Sequence, residues 1–360
     1  MIYPGATIAR RRLLAAAALA AVPGARAGGT DAYAALRLPA MAVRSPESAV
    51  LLDVASTGER LVAVGERGVI ALSDDGARRW RQAHSVPTSV TLTAVKFADS
   101  QQGWAVGHGG VVLATQDGGE QWTLLADGRL LAAQAEEAAR RRPDLPGLAK
   151  EAALLVADGP DKPLLDLHVG GAGRLFVIGG YNLAFESADG GRNWRAALER
   201  MDNPKARHLN VVATRGDTWL IAGEQGLLMR SRDAGGSFRR LESPYAGSWF
   251  ALIASGRSEW IVAGLRGRAY RSIDDGDSWT ALDGAPPASF VSAAASSHDG
   301  EVLLANQAGQ FFRARGGSPA LAALAIPSLP PLTQAFPMAD GGLLALTLAG
   351  IVRLPEKTVT

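Results

Sequence analysis

The 360-residue sequence contains no cysteine. Disulfides, thiolate metal sites, a cysteine nucleophile and a lipidated cysteine are all excluded together. Histidine is scarce, and the five that occur show no HxxxH or HxH spacing, so neither a metal nor a cofactor is expected. Long helical patterns are few, whereas glycine is abundant at 42 residues, a balance that favours many short strands and turns. Long apolar runs are lacking as well. The run at residues 13–22 is ten residues, too short for a helix to span a bilayer of ~30 Å.

That run reads instead as part of an export leader. Arg10, Arg11 and Arg12 precede it, Pro23 and Gly24 follow it, and Ala25-Arg26-Ala27 offers small residues at −3 and −1 of a cleavage site. Residues 1–27 are therefore expected to be a signal peptide, with a twin-arginine character, and the mature protein to be periplasmic or otherwise exported. Removing the leader changes the charge. The mature chain carries 33 Lys and Arg against 35 Asp and Glu, a balance of −2, where the whole sequence has +2. The basic isoelectric point owes much to the leader, and nucleic acid is excluded as the expected partner.

An internal repeat organises the rest. The pattern Ser/Thr-x-Asp-x-Gly-x-x-Trp occurs at Thr115/Asp117/Gly119/Trp122, Ser187/Asp189/Gly191/Trp194 and Ser272/Asp274/Gly276/Trp279. Ser231/Asp233/Gly235/Phe238 is a Phe variant, and Ser73/Asp75/Trp80 has its glycine shifted to Gly76. A second pattern is a short turn marked by Gly68, Gly110, Asn182, Gly226, Gly267, Gly309 and Gly350, spaced by 42, 72, 44, 41, 42 and 41 residues. The long interval contains an insertion at 126–163. Units of this length with four short strands predict an all-β, seven-bladed propeller in one domain, residues 28–360. In the first unit, strands A to D are expected at 51–55, 61–64, 69–73 and 80–84. The last unit lacks a fourth strand, and residues 36–45 are expected to supply it and close the ring.

The box aspartate is suited to accept backbone N–H bonds within its turn, and the tryptophan to pack between blades. These aspartates are structural, and no catalytic residue is assigned. Trp104, Trp219 and Trp260 open strand B at equivalent positions, which leaves Trp249 as the tryptophan outside the repeat. The insertion reads as a helical hairpin between blades 2 and 3, with helices over 130–142 and 148–157. Pairs Glu136–Arg140 and Glu137–Arg141 are expected on the first helix.

Binding residues are sought on the face formed by the B–C and D–A loops, opposite the boxes. Around the channel mouth there, the candidates are Arg67, His108, Tyr181, Arg207, His208, Gln225, Tyr245, Trp249 and Arg266. Trp249 is the foremost of them, with His208 as its expected equivalent one blade earlier. Together they form a polar and aromatic ring suited to a carboxylate, a sugar or a peptide tail.

With these motifs in hand, the chain resembles the BNR/Asp-box propellers and, among them, the photosystem II stability/assembly factor family and its non-photosynthetic bacterial relatives. The run Gly107-His108-Gly109-Gly110-Val111-Val112-Leu113-Ala114-Thr115-Gln116-Asp117-Gly118-Gly119 carries the resemblance, which extends over most of residues 48–354. It implies a non-enzymatic, monomeric scaffold whose partner is a protein, a membrane-protein complex or its newly made subunit. The alternative is a sialidase-type glycoside hydrolase, which needs an arginine triad and a tyrosine nucleophile with a glutamate. Arg67, Arg207, Arg266, Tyr181 or Tyr245, and Glu224 are the residues available for that role. The Arg-Ile-Pro motif of such enzymes is absent from the first blade.

Overall fold

The repeat unit folds as four antiparallel strands because alternating apolar residues are separated by turns that only left-handed backbone can make. The computed structural model describes residues 33–256, 258–296 and 300–356, and the expected leader lies outside them. Strands A occupy Leu51–Ser56, Leu92–Phe97, Leu164–Val169, Leu209–Arg215, Trp249–Ser255, Phe290–Ala295 and Leu332–Pro337. In blade 1, strands B, C and D follow at Leu61–Gly65, Ile70–Ser73 and Arg81–Gln82. Six sheets have four strands in sequence order and the seventh has three. The chain is a seven-bladed β-propeller.

The apolar core is divided among the junctions between blades rather than gathered at one centre. Val62, Val64 and Leu72 of blade 1 pack with Val95, Ala105 and Leu113 of blade 2. Trp104, Trp219 and Trp260, at the start of strand B, are almost wholly buried.

The box loops have a double role. Within the loop, Asp117 accepts from Gln121 N–H (3.0 Å) and from the Thr115 hydroxyl (2.8 Å), and Gly119 N–H donates to Thr115 Oγ1 (3.0 Å). Between blades, the carbonyl of the residue just after the box Asp accepts from the preceding blade. Arg60 donates to Gly118 O (3.1 Å), Trp104 Nε1 to Gly190 O (3.1 Å), Arg174 to Ala234 O (2.9 Å) and Arg230 to Asp275 O (2.7 Å). Arg353 of blade 7 donates to Gly76 O of blade 1 in the same way (2.9 Å). In the first box, Gly76 is therefore not a shifted glycine. It fills the first of two left-handed positions, and Ala77 occupies the second at φ 64°.

Ring closure also differs from expectation. Residues 36–45 form no strand on blade 7. They run along blade 1, where Met41 N–H donates to Arg67 O (3.1 Å) and Val43 N–H to Gln82 Oε1 (2.9 Å). Side chains close the ring instead: Thr333 donates to Leu51 O (2.6 Å) and Gln334 to Asp53 (2.9 Å). Gln82 Nε2 of strand D in blade 1 also donates to Met41 O (2.9 Å), so the hydrogen bonds of this segment go to blade 1.

The insertion is a hairpin of α1 (Gly128–Arg141) and α2 (Pro146–Asp158). Asp127 caps α1 by accepting from Arg129 N–H and Leu130 N–H. Leu131, Ala135, Leu148 and Leu155 bury the hairpin against Leu164 and Leu198 of blade 3. Arg140 bonds Glu137 at i, i+3 (2.7 Å) rather than Glu136, so the expected first pair is replaced.

Candidate functional site

Strand A decides what reaches the central channel. Each of the seven strands A carries a β-bulge at its second residue. The first residue then points between blades: Leu51, Leu92, Leu164, Leu209, Trp249, Phe290 and Leu332 are all buried. The second and third residues line the channel, a cavity of about 300 Å³. Trp249 therefore occupies a position that the repeat does explain, and it is 0% exposed. Its equivalent one blade earlier is Leu209, not His208. The aromatic that reaches the channel is Phe250, 39% exposed.

None of the nine candidate residues lines this cavity; its polar lining is Asp53, Thr93, Lys96, Asp166, Asn210, Ser292, Thr333 and Gln334. Sequence reasoning missed these, because a bulge reverses the alternation by which inward positions are counted. Their polar atoms are engaged in joining blades. Asp53 accepts from Val95 N–H (2.9 Å), Lys96 Nζ (3.3 Å) and Gln334. Asp166 accepts from Leu167 N–H (2.8 Å) and Val212 N–H (2.9 Å). Burial pushes the Asp166 carboxyl up to about 6, against the opposing charge of Lys96. Burial works to lower Lys96, but the charges of Asp53 and Asp166 prevail and hold it above the ordinary lysine range.

The candidates lie farther out, on the B–C turns and D–A connections. Arg67, His108, Tyr181, Gln225 and Arg266 are exposed on the turns of blades 1 to 5. Arg67, Tyr181, Gln225 and Arg266 sit at φ between 50° and 57°, a left-handed region that costs a side-chain-bearing residue about 1–2 kcal/mol. The turn imposes this, since the next position presses against the following connection: a Cβ on Gly226 would lie 2.3 Å from Tyr245 O.

The structure brings some of these residues together at blades 3 and 4. Tyr181, 52% exposed, packs at a 55° tilt against the half-buried His208, ring centroids 4.7 Å apart, with Lys162 Nζ 4.8 Å from the Tyr181 ring centroid. Asn203 holds Arg207 in place, accepting from its N–H (3.2 Å) and donating to its carbonyl (2.8 Å). The same Asn203 donates to Asn182, which donates to Glu151 of α2 (3.3 Å), so the insertion is tied to this cluster. Burial pushes the Glu151 carboxyl upward. Arg207 Nε and Nη1 are buried and meet no acceptor among the described residues. Tyr245 packs on Trp249 one blade further on (5.6 Å).

Seven arginines beside the boxes are ion-paired, whereas, among the described residues, three on the turns and connections of the opposite face are not. Toward the boxes, Arg60, Arg174, Arg200, Arg215, Arg230, Arg271 and Arg353 all form ion pairs. On the opposite face, Arg67, Arg207 and Arg266 form none among the described residues, and Arg67 reaches the Met41 sulfur (3.1 Å). None of these three lines the central cavity, so they do not converge there as a sialidase triad would. No hydrogen bond or ring contact among the described residues joins Tyr181 or Tyr245 to Glu224. Glu224 instead accepts the His208 N–H (3.2 Å).

The family model of the photosynthesis system II assembly factor YCF48 matches residues 35–139 and 156–317. The chain belongs to this family. The gap in the match falls in the helical hairpin, where this chain departs from the YCF48 pattern. Two YCF48 structures are similar. One is described as YCF48 bound to D1 peptide, with 17% identity, 88% of this chain and 99% of that chain covered, and a TM-score of 0.64. The other is YCF48 from Cyanidioschyzon merolae, with 13% identity, coverage of 88% and 98%, and a TM-score of 0.63. The fold is shared more widely, as in a GH74 xyloglucanase from Xanthomonas campestris (14% identity, coverage 86% and 52%, TM-score 0.63). No curated protein matches the chain.

Proposed function

We propose that this YCF48-family protein is an exported, non-enzymatic scaffold that holds an extended segment of a membrane-protein subunit on its B–C/D–A face during assembly. The observation that carries the reading is that Arg67, Arg207 and Arg266 on that face have no ion-pair partner among the described residues, and that Arg207, with buried unsatisfied N–H groups, adjoins the Tyr181–His208 contact. A guanidinium with buried, unsatisfied N–H groups recovers that cost when it meets a carboxylate, which it binds bidentately. Aromatic rings add apolar contact for side chains of a peptide. Family membership supports a scaffold role, and a similar YCF48 structure is described as peptide-bound.

The test is cross-linking and recovery of the partner from native membranes with the tagged mature protein. Wild type is expected to yield a membrane-protein subunit cross-linked near the B–C turns. The Arg67→Glu/Arg266→Glu variant is expected to lose about tenfold in recovery, the scale of two charge reversals at an interface. Unchanged recovery would remove this face from the proposal. Export is tested separately, by N-terminal sequencing of the protein from the periplasmic fraction, with Gly28 as the expected first residue.

A further inference from the structure

Two of the seven strands A carry an aspartate at the third position, Asp53 in blade 1 and Asp166 in blade 3. Register makes them equivalent: Asp53 pairs with Val64 and Asp166 with Ile178, each just past the bulge. Each carboxylate accepts an N–H from the fourth residue of the next strand A, Val95 for Asp53 and Val212 for Asp166, both at 2.9 Å. The fifth residue ends the likeness. In blade 2 it is Lys96, whose ammonium lies 3.3 Å from Asp53. In blade 4 it is Ala213, set there by its pairing with Leu220 as Lys96 is by its pairing with Trp104.

Asp166 therefore lacks a cation that its counterpart has. Asp53 accepts from Val95, Lys96 and Gln334, whereas Asp166 accepts only from Leu167 and Val212, and an ionised carboxylate has about four sites. Asp166 is 8% exposed, lines the channel and forms no ion pair among the described residues. Lys96 acts on it only through its charge at longer range. Two carboxylates against one ammonium leave the floor of the channel with a surplus negative charge. Nearer the B–C/D–A face, the second residues of strand A form an apolar collar of Leu52, Leu165, Phe250 and Val291. Thr93, Asn210 and Thr333 in the same ring spend their donors on Leu164 O (2.7 Å), Trp249 O (2.8 Å) and Leu51 O (2.6 Å). A cavity of about 300 Å³ is at the small end of the roughly 300–1,000 Å³ of ligand sites, which suits one slender group.

We propose that the channel takes one alkylammonium group beside Asp166, its aliphatic stem passing through the collar. The stem buries apolar surface on Leu52, Leu165 and Phe250 while the charged head meets the carboxylate, the division that suits a long cationic side chain. Lys96 on Asp53 is the same contact made from the wall. The group comes from a lysine side chain of an incoming polypeptide or from a free amine. The site does not depend on the reading given for Arg67, Arg207 and Arg266, none of which lines the channel.

NMR titration of the full protein with n-butylammonium chloride tests this, at a pH above the Asp166 value of about 6 so that the carboxylate is ionised. The amides of Val212 and Leu167, which both donate to Asp166, are expected to shift saturably, and that of Val95 to shift less. Potassium chloride and n-butanol at the same concentration are expected to shift none of them. Asp166→Asn is expected to weaken binding about tenfold or more, with the amide spectrum of the other blades unchanged. Ala213→Lys supplies the ammonium from the wall and is expected to abolish the response. N-acetyl-lysine amide identifies the source. If it shifts the same amides, a lysine side chain of a polypeptide is the occupant; if only n-butylammonium does, a free amine is, because a peptide backbone does not pass the collar. Absence of a saturable shift overturns the proposal, as do equal shifts with potassium chloride or n-butanol and an unchanged response in either variant.

Discussion

Replacing Trp249 separates a binding role from a packing role. Its side chain is 0% exposed and packs with Leu220, Ala222, Leu228 and Trp260 at the junction of blades 4 and 5. Truncation of a buried aromatic to alanine costs about 3–5 kcal/mol, and the lower end applies here. The indole N–H is buried without an acceptor among the described residues, so its removal returns part of about 1–3 kcal/mol. Trp249→Ala should therefore lose about 3 kcal/mol, or roughly 4–5 °C at about 1.5 °C per kcal/mol for a chain of this size. Trp249→Leu should lose only about 1–2 kcal/mol, since the repeat places leucine here in blades 1, 2, 3, 4 and 7 and the orphan N–H disappears. Phe250→Ala, half-exposed to the channel, should cost less than about 1.5 kcal/mol. Urea unfolding of the three variants measures these values. If Trp249→Ala kept wild-type stability within about 1 kcal/mol while losing its partner, the packing argument would be wrong.

Ala77→Gly should stabilise the protein by about 0.5–1 kcal/mol, because Ala77 stands at φ 64° where the other boxes carry glycine. Gly226→Ala should lower the urea midpoint far more than Gly216→Ala. Both have positive φ, but a Cβ at 226 would meet Tyr245 O at 2.3 Å and one at 216 meets nothing within 4 Å. The carboxyls of Asp189, Asp233 and Asp274 are held at about 2 by hydrogen bonds from Asn193, from Ser231 and Ser237, and from Ser278, respectively. Their contribution is present above the unfolded value near 3.8 and lost as pH falls through about 2, so carbon-detected titration should show midpoints near 2. Midpoints near 3.8 would contradict the box geometry. Asp166 has the opposite sign. Its raised pKa favours the fold fully below 3.8, and the benefit is lost as pH rises through about 6. Asp166→Asn should flatten stability between about pH 4 and pH 6 in urea melts.

The blade count, the polarity of the faces and the helical hairpin were legible in the amino-acid order because each depends on local chemistry. A box turn satisfies its own Asp, and a hairpin turn between strands B and C recurs at a fixed interval, so both leave a periodic trace. Family resemblance rested on the same local run. What lay beyond reach involved atoms far apart in the chain. The bulge in strand A moved Trp249 into the core and Phe250 into the channel, and no single residue announces a bulge. The closure of the ring by Thr333 and Gln334 joins residues more than 280 positions apart. Sequence periodicity thus sufficed for the architecture, because the repeat is stabilised within and between adjacent units. The chemistry of the surface was settled by contacts between units, which only the closed ring brings into reach.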